Sequence, residues 1–480
     1  MIKNIITGIL ILNLISSTSI IPLTTNEKQQ QNSLLLEDSP GVQWTKLYGT
    51  FDWTDHIYQA RLTSDGGYIL IGSTQSYNSN HYFDAWVIKT DAVGNEIWNK
   101  TYNHFESFGE SIQQTIDGGY IFCGVFLSDM WLVKINAQGD IQWEKTFNGT
   151  RADCVQQVSD GGYILTGYIG YGACLIRTDT EGNLLWEKIY FPLNYSFGWC
   201  TLQTSDGGFI LTGDTIYYGN TEYAKNYLLK TDQNGNEIWN KSYWNSAEVS
   251  RIYSVQQTQD HGYILAGTIT SIPWIVRTDE NGVELWNRTF SNDLSIAYEI
   301  VQTNDGGFIL IANNAHAYSC IIKTDANGTT EWELPIGSQT ELTGVELTSI
   351  QQTLDRGYIV AGIYIDSGFT NGLLMKIGHV PSITITKPIN GLYLFDRKIL
   401  NFFTPLVIGP ITIEVVVSDT LYDIDRVEFF VDDSLRYTDT TALYNWHWTT
   451  MSFFKHTITI TVYNTMGNFS SATINIRKIF

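Results

Sequence analysis

Asp65-Gly66-Gly67-Tyr68-Ile69-Leu70 decides the fold, because the chain carries this stretch seven times. It recurs as Asp117-Gly118-Gly119-Tyr120, Asp160-Gly161-Gly162-Tyr163, Asp206-Gly207-Gly208-Phe209 and Asp305-Gly306-Gly307-Phe308. Two copies are altered: Asp260-His261-Gly262-Tyr263 and Asp355-Arg356-Gly357-Tyr358. Successive copies lie 43 to 54 residues apart, the period of a propeller blade or a similar array. Gln stands three residues before the Asp at Gln114, Gln157, Gln203, Gln257, Gln302 and Gln352, and Leu62 is the exception.

A second motif, basic-Thr-Asp-x-x-Gly-x-x-x-Trp, follows each copy but the last. It reads Lys89-Thr90-Asp91 to Gly94 and Trp98, with Lys134-Ile135-Asn136 to Trp143 as a variant. The others begin at Arg177, Lys230, Arg277 and Lys323 and end at Trp186, Trp239, Trp286 and Trp332. The last begins at Lys376-Ile377-Gly378 and stops without its Trp. The missing piece, Gly41-Val42-Gln43-Trp44-Thr45-Lys46-Leu47-Tyr48, precedes the first Asp-Gly-Gly. This one-strand offset is what a closed ring needs, whereas a linear solenoid would need polar caps. The pattern predicts an all-β chain with a seven-bladed β-propeller closed by its N-terminal strand.

Each blade reads as four strands. In the fifth they fall near Tyr253 to Thr258, Tyr263 to Thr268, Trp274 to Arg277 and Glu284 to Thr289. The second strand is continuously apolar, as in Tyr163-Ile164-Leu165, which suits a strand covered on both faces. The Asp-Gly-Gly and Asp-x-x-Gly stretches are tight turns.

Composition agrees. Of 480 residues, 14% are aromatic and only 16% charged, against about 25% charged in ordinary globular proteins. A net charge of −21 argues against nucleic acid or an anionic membrane as partner. Residues 1–23 read as a secretory signal, with Lys3, an apolar core from Ile5 to Ile15 and Ser17-Thr18-Ser19 for cleavage. An uncleaved N-terminal anchor is the alternative, and no other segment predicts membrane insertion. Residues 24–40 read as a polar linker.

The turn motif followed by an outer-strand Trp resembles the tryptophan-docking repeat of quinoprotein-type propellers, and its position resembles the Asp-box turn of sialidases. As a whole, residues 41–378 resemble the Asp-Gly-Gly-Tyr repeat propellers of exported bacterial and archaeal proteins, a likeness that implies a fold but no single activity. Residues 380–480 change character. Ile383-Thr384-Ile385-Thr386, Ile411 to Val417, Val427 to Val431 and Thr457 to Val462 are β patterns at sandwich spacing. This segment resembles the Ig-like domains of prokaryotic surface proteins, without the antibody-type Cys pair.

Strand order places the B–C and D–A connections of every blade on one face. These are long and variable, as at Ser73 to Asp84, Asn103 to Glu110, Phe191 to Trp199 and Asp214 to Asn226. Irregular loops on a rigid scaffold are the usual place for binding. The loop-face aromatics Tyr82, Phe105, Tyr171, Trp199 and Tyr218 are the candidate ligand-binding residues, since amphipathic rings suit sugar faces and apolar peptides. Filling of gaps between blades is the competing role for any one of them.

Other chemistry is weakly signalled. Asp232, Asn234 and Asn236 imitate part of a calcium loop but lack its terminal Glu, so turn geometry explains them and no metal is predicted. A glycosidase or lyase would need two convergent carboxylates; the candidates are Asp84, Glu106, Glu110, Asp214, Glu222 and Glu248. Arg61, Arg151 and Arg251 lie near blade starts with nothing in the sequence to join them. Cys154 and Cys200 fill equivalent places in neighbouring blades, and the five Cys read as small buried side chains rather than a disulfide framework. No catalytic residue and no cofactor is predicted. The expectation is a secreted or cell-surface binding protein whose loop face meets an extracellular glycan or protein. A polysaccharide-acting enzyme on the same face and a structural surface-layer component are the alternatives.

Overall fold

The computed structural model describes residues 40–479, apart from residues 51, 78–81, 103–105, 192–194, 218–222, 244–248, 292, 315–317, 338–343, 367, 379, 420–421 and 466. The signal segment and nearly all of the linker lie outside the described residues. Among the described residues every regular element is a strand. Seven four-stranded antiparallel sheets take up the chain from Gly41 to Gly378. The first blade is Asp55–Leu62, Tyr68–Thr74, Asp84–Thr90 and Glu96–Tyr102, from the inside outwards. The seventh is Val345–Gln352, Tyr358–Asp366 and Phe369–Gly378, with Gly41–Tyr48 as its outer strand. Pairing runs from Gly41 opposite Gly378 to Tyr48 opposite Gly372. The ring is a seven-bladed propeller closed by its N-terminal strand.

The repeated residues hold the blades to one another. Each outer-strand indole lies against the aromatic ring that follows the next Asp-Gly-Gly. Trp98 meets Tyr120, Trp186 meets Phe209 and Trp332 meets Tyr358, with centroids 6.3, 5.8 and 6.0 Å apart. Trp44 meets Tyr68 at 6.1 Å, so the closing interface is built like the others. Four residues after the Trp, the hydroxyls of Tyr48, Tyr102, Tyr190 and Tyr243 donate to the carbonyls of Gly94, Gly139, Gly235 and Gly282 in the next blade. The recurrent Gln accepts from a turn amide of the preceding blade, as Gln114 does from Ser64 at 2.8 Å and Gln203 from Ser159 at 2.8 Å. Leu62 cannot accept, so the closing interface lacks this bond. It keeps the companion bond of the other interfaces: the Leu62 amide donates to Gln351 at 2.7 Å, as the Gln157 amide does to Gln113 at 2.8 Å.

The two sequence motifs meet in an ion pair in every blade. Lys89 pairs with Asp65, Lys134 with Asp117, Lys230 with Asp206 and Lys323 with Asp305, each at 2.9 Å, and Lys376 with Asp355 at 2.8 Å. Arg177 pairs with Asp160 and Arg277 with Asp260. The basic side chain is buried and also donates to the carbonyl of the residue after it, as Lys230 does to Thr231 at 3.0 Å. This packing explains why the altered turns change only their first glycine. Gly207 has φ +84° with open space around it, and His261 and Arg356 adopt the same positive φ. A Cβ on the second glycine, Gly208, would sit 2.2 Å from the Thr231 carbonyl oxygen and 2.5 Å from Lys230 Nζ. Gly207→Ala is therefore expected to cost about 1 kcal/mol and Gly208→Ala about 3 kcal/mol. Urea denaturation of the two variants checks that order.

Strands Ser382–Lys387, Ile411–Ser418 and Asn445–Trp448 form one sheet of an Ig-like sandwich. A seven-stranded sheet containing Ile424–Val431, Phe453–Asn464 and Phe469–Ile479 covers it. Alternation decides the inward face: Val427, Phe429 and Val431 are buried and pack with Ile458, Ile460, Val462 and Trp448. The short strands Leu392–Leu394, Arg397–Leu400 and Leu406–Ile408 carry no readable period and were not expected.

Candidate ligand site at the channel mouth

The inner strands of the seven blades wall a central channel, and each is bulged at the same place. Pairing with the second strand slips between Ile57 and Gln59, Gly109 and Ser111, Ala152 and Cys154, and Gly198 and Cys200. It slips likewise between Ile252 and Ser254, Ala297 and Glu299, and Leu347 and Ser349. The extra residues are Tyr58, Glu110, Asp153, Trp199, Tyr253, Tyr298 and Thr348, each seven before the turn Asp. A bulge re-aims the side chain it carries. Room for it comes from the second strand, where Gly72, Gly124, Gly167, Gly213, Gly267 and Gly362 face the bulge. A Cβ on any of these would lie 1.8–2.0 Å from an inner-strand carbonyl oxygen. Ala312 stands at this place in the sixth blade, opposite the small Ala297.

Four of the bulged residues, Tyr58, Glu110, Tyr298 and Thr348, line a cavity of about 550 Å³ together with Phe108, Arg151, Tyr168 and Glu346, among others. Rings continue around the mouth. Tyr168 lies edge-on to Phe197 at 4.9 Å, Phe197 stacks on Trp199 at 5.5 Å, Trp199 meets Tyr253 at 5.7 Å, and Tyr253 meets Tyr298 at 5.6 Å. Deeper in the channel, the inner strands line a second cavity of about 490 Å³. There Arg61 reaches past the seventh blade to Glu299 of the sixth at 2.7 Å.

Charge is set into the rings. Arg151 Nε donates to Asp153 Oδ1 at 2.6 Å, and its Nη2 lies 3.3 Å from Glu110 Oε2. Trp199 Nε1 donates to Asp214 Oδ1 at 2.5 Å, while Arg251 Nε lies 3.6 Å from Asp214 Oδ2. Oδ2 of Asp153 and Oδ2 of Asp214 are buried without a hydrogen bond in the chain. Burial raises the Asp153 carboxyl to about 7, against the pull of Arg151 and with Glu110 adding to the rise. Burial also raises Asp214 to about 6, opposed by Trp199 and Arg251, and it raises Glu110 against Arg151.

These shifts give a signed pH dependence. Between pH 4 and about 7 the folded chain binds protons at Asp153 and Asp214 that the unfolded chain has released, so stability falls as pH rises through that range. The turn aspartates act oppositely. Burial would raise Asp65, but the bonds from Thr63, Lys89 and Gly67 outweigh it and hold the carboxyl at about 2. Its stabilising effect is complete above about pH 4 and is lost as pH falls through 2. Thermal melting is thus expected to be highest at about pH 4–5. Asp153→Asn and Asp214→Asn together are expected to flatten the decline towards pH 7.

The candidates read from sequence are only partly gathered here. Trp199 is a bulged residue of the inner strand Tyr195–Gln203 rather than a loop residue, because the bulge lets that strand run on to the mouth. Tyr171 is exposed in the turn after Tyr163–Ile169, edge-on to Tyr195 at 4.3 Å. Tyr82 is exposed beside the strand Asp84–Thr90. Phe105, Tyr218, Glu222 and Glu248 lie outside the described residues. Glu110 and Asp214 reach the mouth from within strands, whereas Asp84 is wholly buried and Glu106 is exposed. Arg151 and Arg251 belong to the site. Asp153, Tyr58, Tyr253 and Tyr298 were missed, and the signal that could have found them is the Gly seven residues after the turn Asp in six blades, replaced by Ala312 in the sixth. Asp232 spends its Oδ1 on the amides of Asn234 and Asn236 and its Oδ2 on the Asn236 side chain.

The pattern of the family described as a bacterial Ig domain matches residues 381–462. Comparison with curated proteins gives no match. Among solved structures, the chain is similar to a catalytically inactive virginiamycin B lyase from Staphylococcus aureus with quinupristin. Identity is 14% and the TM-score 0.49, over 69% of this chain and 98% of that one. It is also similar to the Dos1 propeller, at 10% identity and TM-score 0.47, over 71% and 95% of the two chains. The extracellular domain of a hybrid two-component system from B. thetaiotaomicron matches 92% of this chain over 60% of its own length, at 10% identity and TM-score 0.43.

Proposed function

We propose that the chain is an exported, non-catalytic recognition protein whose channel mouth binds an extracellular glycan. The observation that carries this reading is the cavity at the mouth, where the bulged residues Tyr58, Glu110, Tyr298 and Thr348 stand with Phe108, Tyr168 and Arg151, continued by the aromatic contacts through Phe197, Trp199 and Tyr253. Ring faces stack on the apolar faces of sugars, while carboxylates and guanidiniums bond to hydroxyls. Glu110, Arg151 and Glu346 on the cavity lining supply the charged partners for such hydroxyls. The signal-like segment at 1–23 supports export, and the Ig-like sandwich would space or dock the propeller.

The rise of Asp153 to about 7 favours one second reading, hydrolysis or elimination with a buried acid at the mouth. A polysaccharide panel separates the two. The purified protein is incubated with each polysaccharide, and bound samples are assayed for new chain ends. Binding without cleavage is the expected result. New chain ends would overturn the non-catalytic reading, and failure to retain any polysaccharide would overturn the glycan and leave a protein partner.

A further inference from the structure

Cys154 and Cys200 occupy the position after the bulge in neighbouring blades, on the wall of the deeper cavity. Their Sγ atoms are 4.0 Å apart. In the other five blades this position carries an oxygen that ties blades together. Gln59 accepts from the Ile112 amide, Ser111 from Val155, Ser254 from Ile300, Glu299 from Ile350 and Ser349 from Ala60. The thiols keep weak versions of these ties: Cys154 Sγ accepts from the Thr201 amide at 3.5 Å and donates to the Thr201 carbonyl at 3.4 Å, and Cys200 Sγ donates to the Val255 carbonyl at 3.8 Å. What sets these two positions apart is that they carry thiols in neighbouring blades, in contact across the channel wall. Cys123, Cys174 and Cys320 differ in being buried in the blade cores. Cys154 and Cys200 are free and only partly buried.

We infer that Cys154 and Cys200 are a thiol pair that oxidises to a disulfide, stapling the third blade to the fourth across the channel wall. The oxidant is a low-molecular-weight disulfide. The Cys154 thiolate attacks one of its sulfurs, forming a mixed disulfide and expelling one thiolate. The Cys200 thiolate then attacks the Cys154 sulfur and expels the second. The protein loses two electrons and two protons, and the reagent leaves as two thiols. Hydrogen bonding with Cys200 holds the Cys154 thiol below its ordinary value, which favours Cys154 as the first nucleophile. The bridge joins residues 46 apart in sequence, so it restrains the unfolded chain as well as the ring.

The test uses the full-length protein, reduced and then incubated with hydroxyethyl disulfide, a small neutral oxidant. Thiol counting, intact mass and non-reducing peptide mapping are read. The expected result is loss of two of the five thiols, a mass lower by two hydrogens and one linked peptide pair containing Cys154 and Cys200. The melting temperature should rise by several degrees and return on reduction. Cys154→Ser and Cys200→Ser carry the residue found in other blades and are expected to fold. Each should stop at a mercaptoethanol adduct on the remaining cysteine. Five titratable thiols after oxidation, adducts on both cysteines without a bridge, or a link to Cys123, Cys174 or Cys320 would overturn the inference.

Discussion

A chain that begins at residue 50 will melt at least ~10 °C below one that begins at residue 38, because only the longer chain has the strand Gly41–Tyr48. Three kinds of interaction disappear with that strand. The ladder from Gly41 to Tyr48 along Phe369–Gly378 is lost, leaving an unpaired edge on a strand whose Leu373, Leu374, Met375 and Ile377 are wholly buried. The contact of Trp44 with Tyr68 and the 2.7 Å bond from Tyr48 to the Gly94 carbonyl go with it. The bond from Lys46 to Asn95 at 3.0 Å is also lost, although it is exposed and contributes little. The first and seventh blades would then meet only along their inner parts, where Ser349 and Gln351 hold Ala60 and Leu62. An exposed edge of this kind also recruits other chains, so the shorter chain should aggregate on heating. Equal melting temperatures for the two chains would contradict closure by the N-terminal strand.

Gly213→Val is expected to cost about 3 kcal/mol or more and to disorder the aromatic belt together with the fold. The added Cβ would lie 1.8 Å from the Phe197 carbonyl oxygen and 2.6 Å from the Tyr227 hydroxyl. That hydroxyl donates to the same carbonyl at 2.6 Å. The inner strand of the fourth blade cannot retreat without moving Phe197 and Trp199, and through Trp199 the bond to Asp214. Urea denaturation should show the stability loss, and near-ultraviolet circular dichroism a weakened aromatic signal. The single methyl of Ala312 in the sixth blade marks how little extra volume this position accepts. Unchanged stability in the valine variant would mean that the bulge does not depend on the facing glycine.

The ring was legible because its contacts are repeated in sequence. Asp-Gly-Gly, the basic residue and the Trp occur at fixed offsets, so any copy teaches the others, and the misplaced Trp44 strand announced closure. What linked those motifs was not legible. Asp65 and Lys89 are 24 residues apart, and only folding of the second and third strands brings them to 2.9 Å. The mouth was harder to read for a different reason. A bulge adds one residue to a period-two strand, so Trp199 and Glu110 read as loop residues when they are strand residues facing the channel. Asp153 looked unremarkable because the same place holds Tyr, Glu, Trp or Thr in other blades, and ring position rather than residue type gives it meaning. In the Ig-like sandwich the long alternating strands were readable, while strands of three or four residues were too short to show a period.

The central claim is that binding is centred on the channel mouth and not on the outer loops. The most direct test is titration calorimetry with a polysaccharide retained in the panel, on four single variants. Tyr298→Ala and Trp199→Ala remove rings of the mouth; Tyr82→Ala and Tyr171→Ala remove exposed rings of the rim. Mouth variants that keep the parent melting temperature are predicted to bind at least ~10-fold more weakly, the loss of one stacked ring, with rim variants within about threefold of the parent. Parent-like affinity in both mouth variants, with loss in the rim variants, would contradict the account.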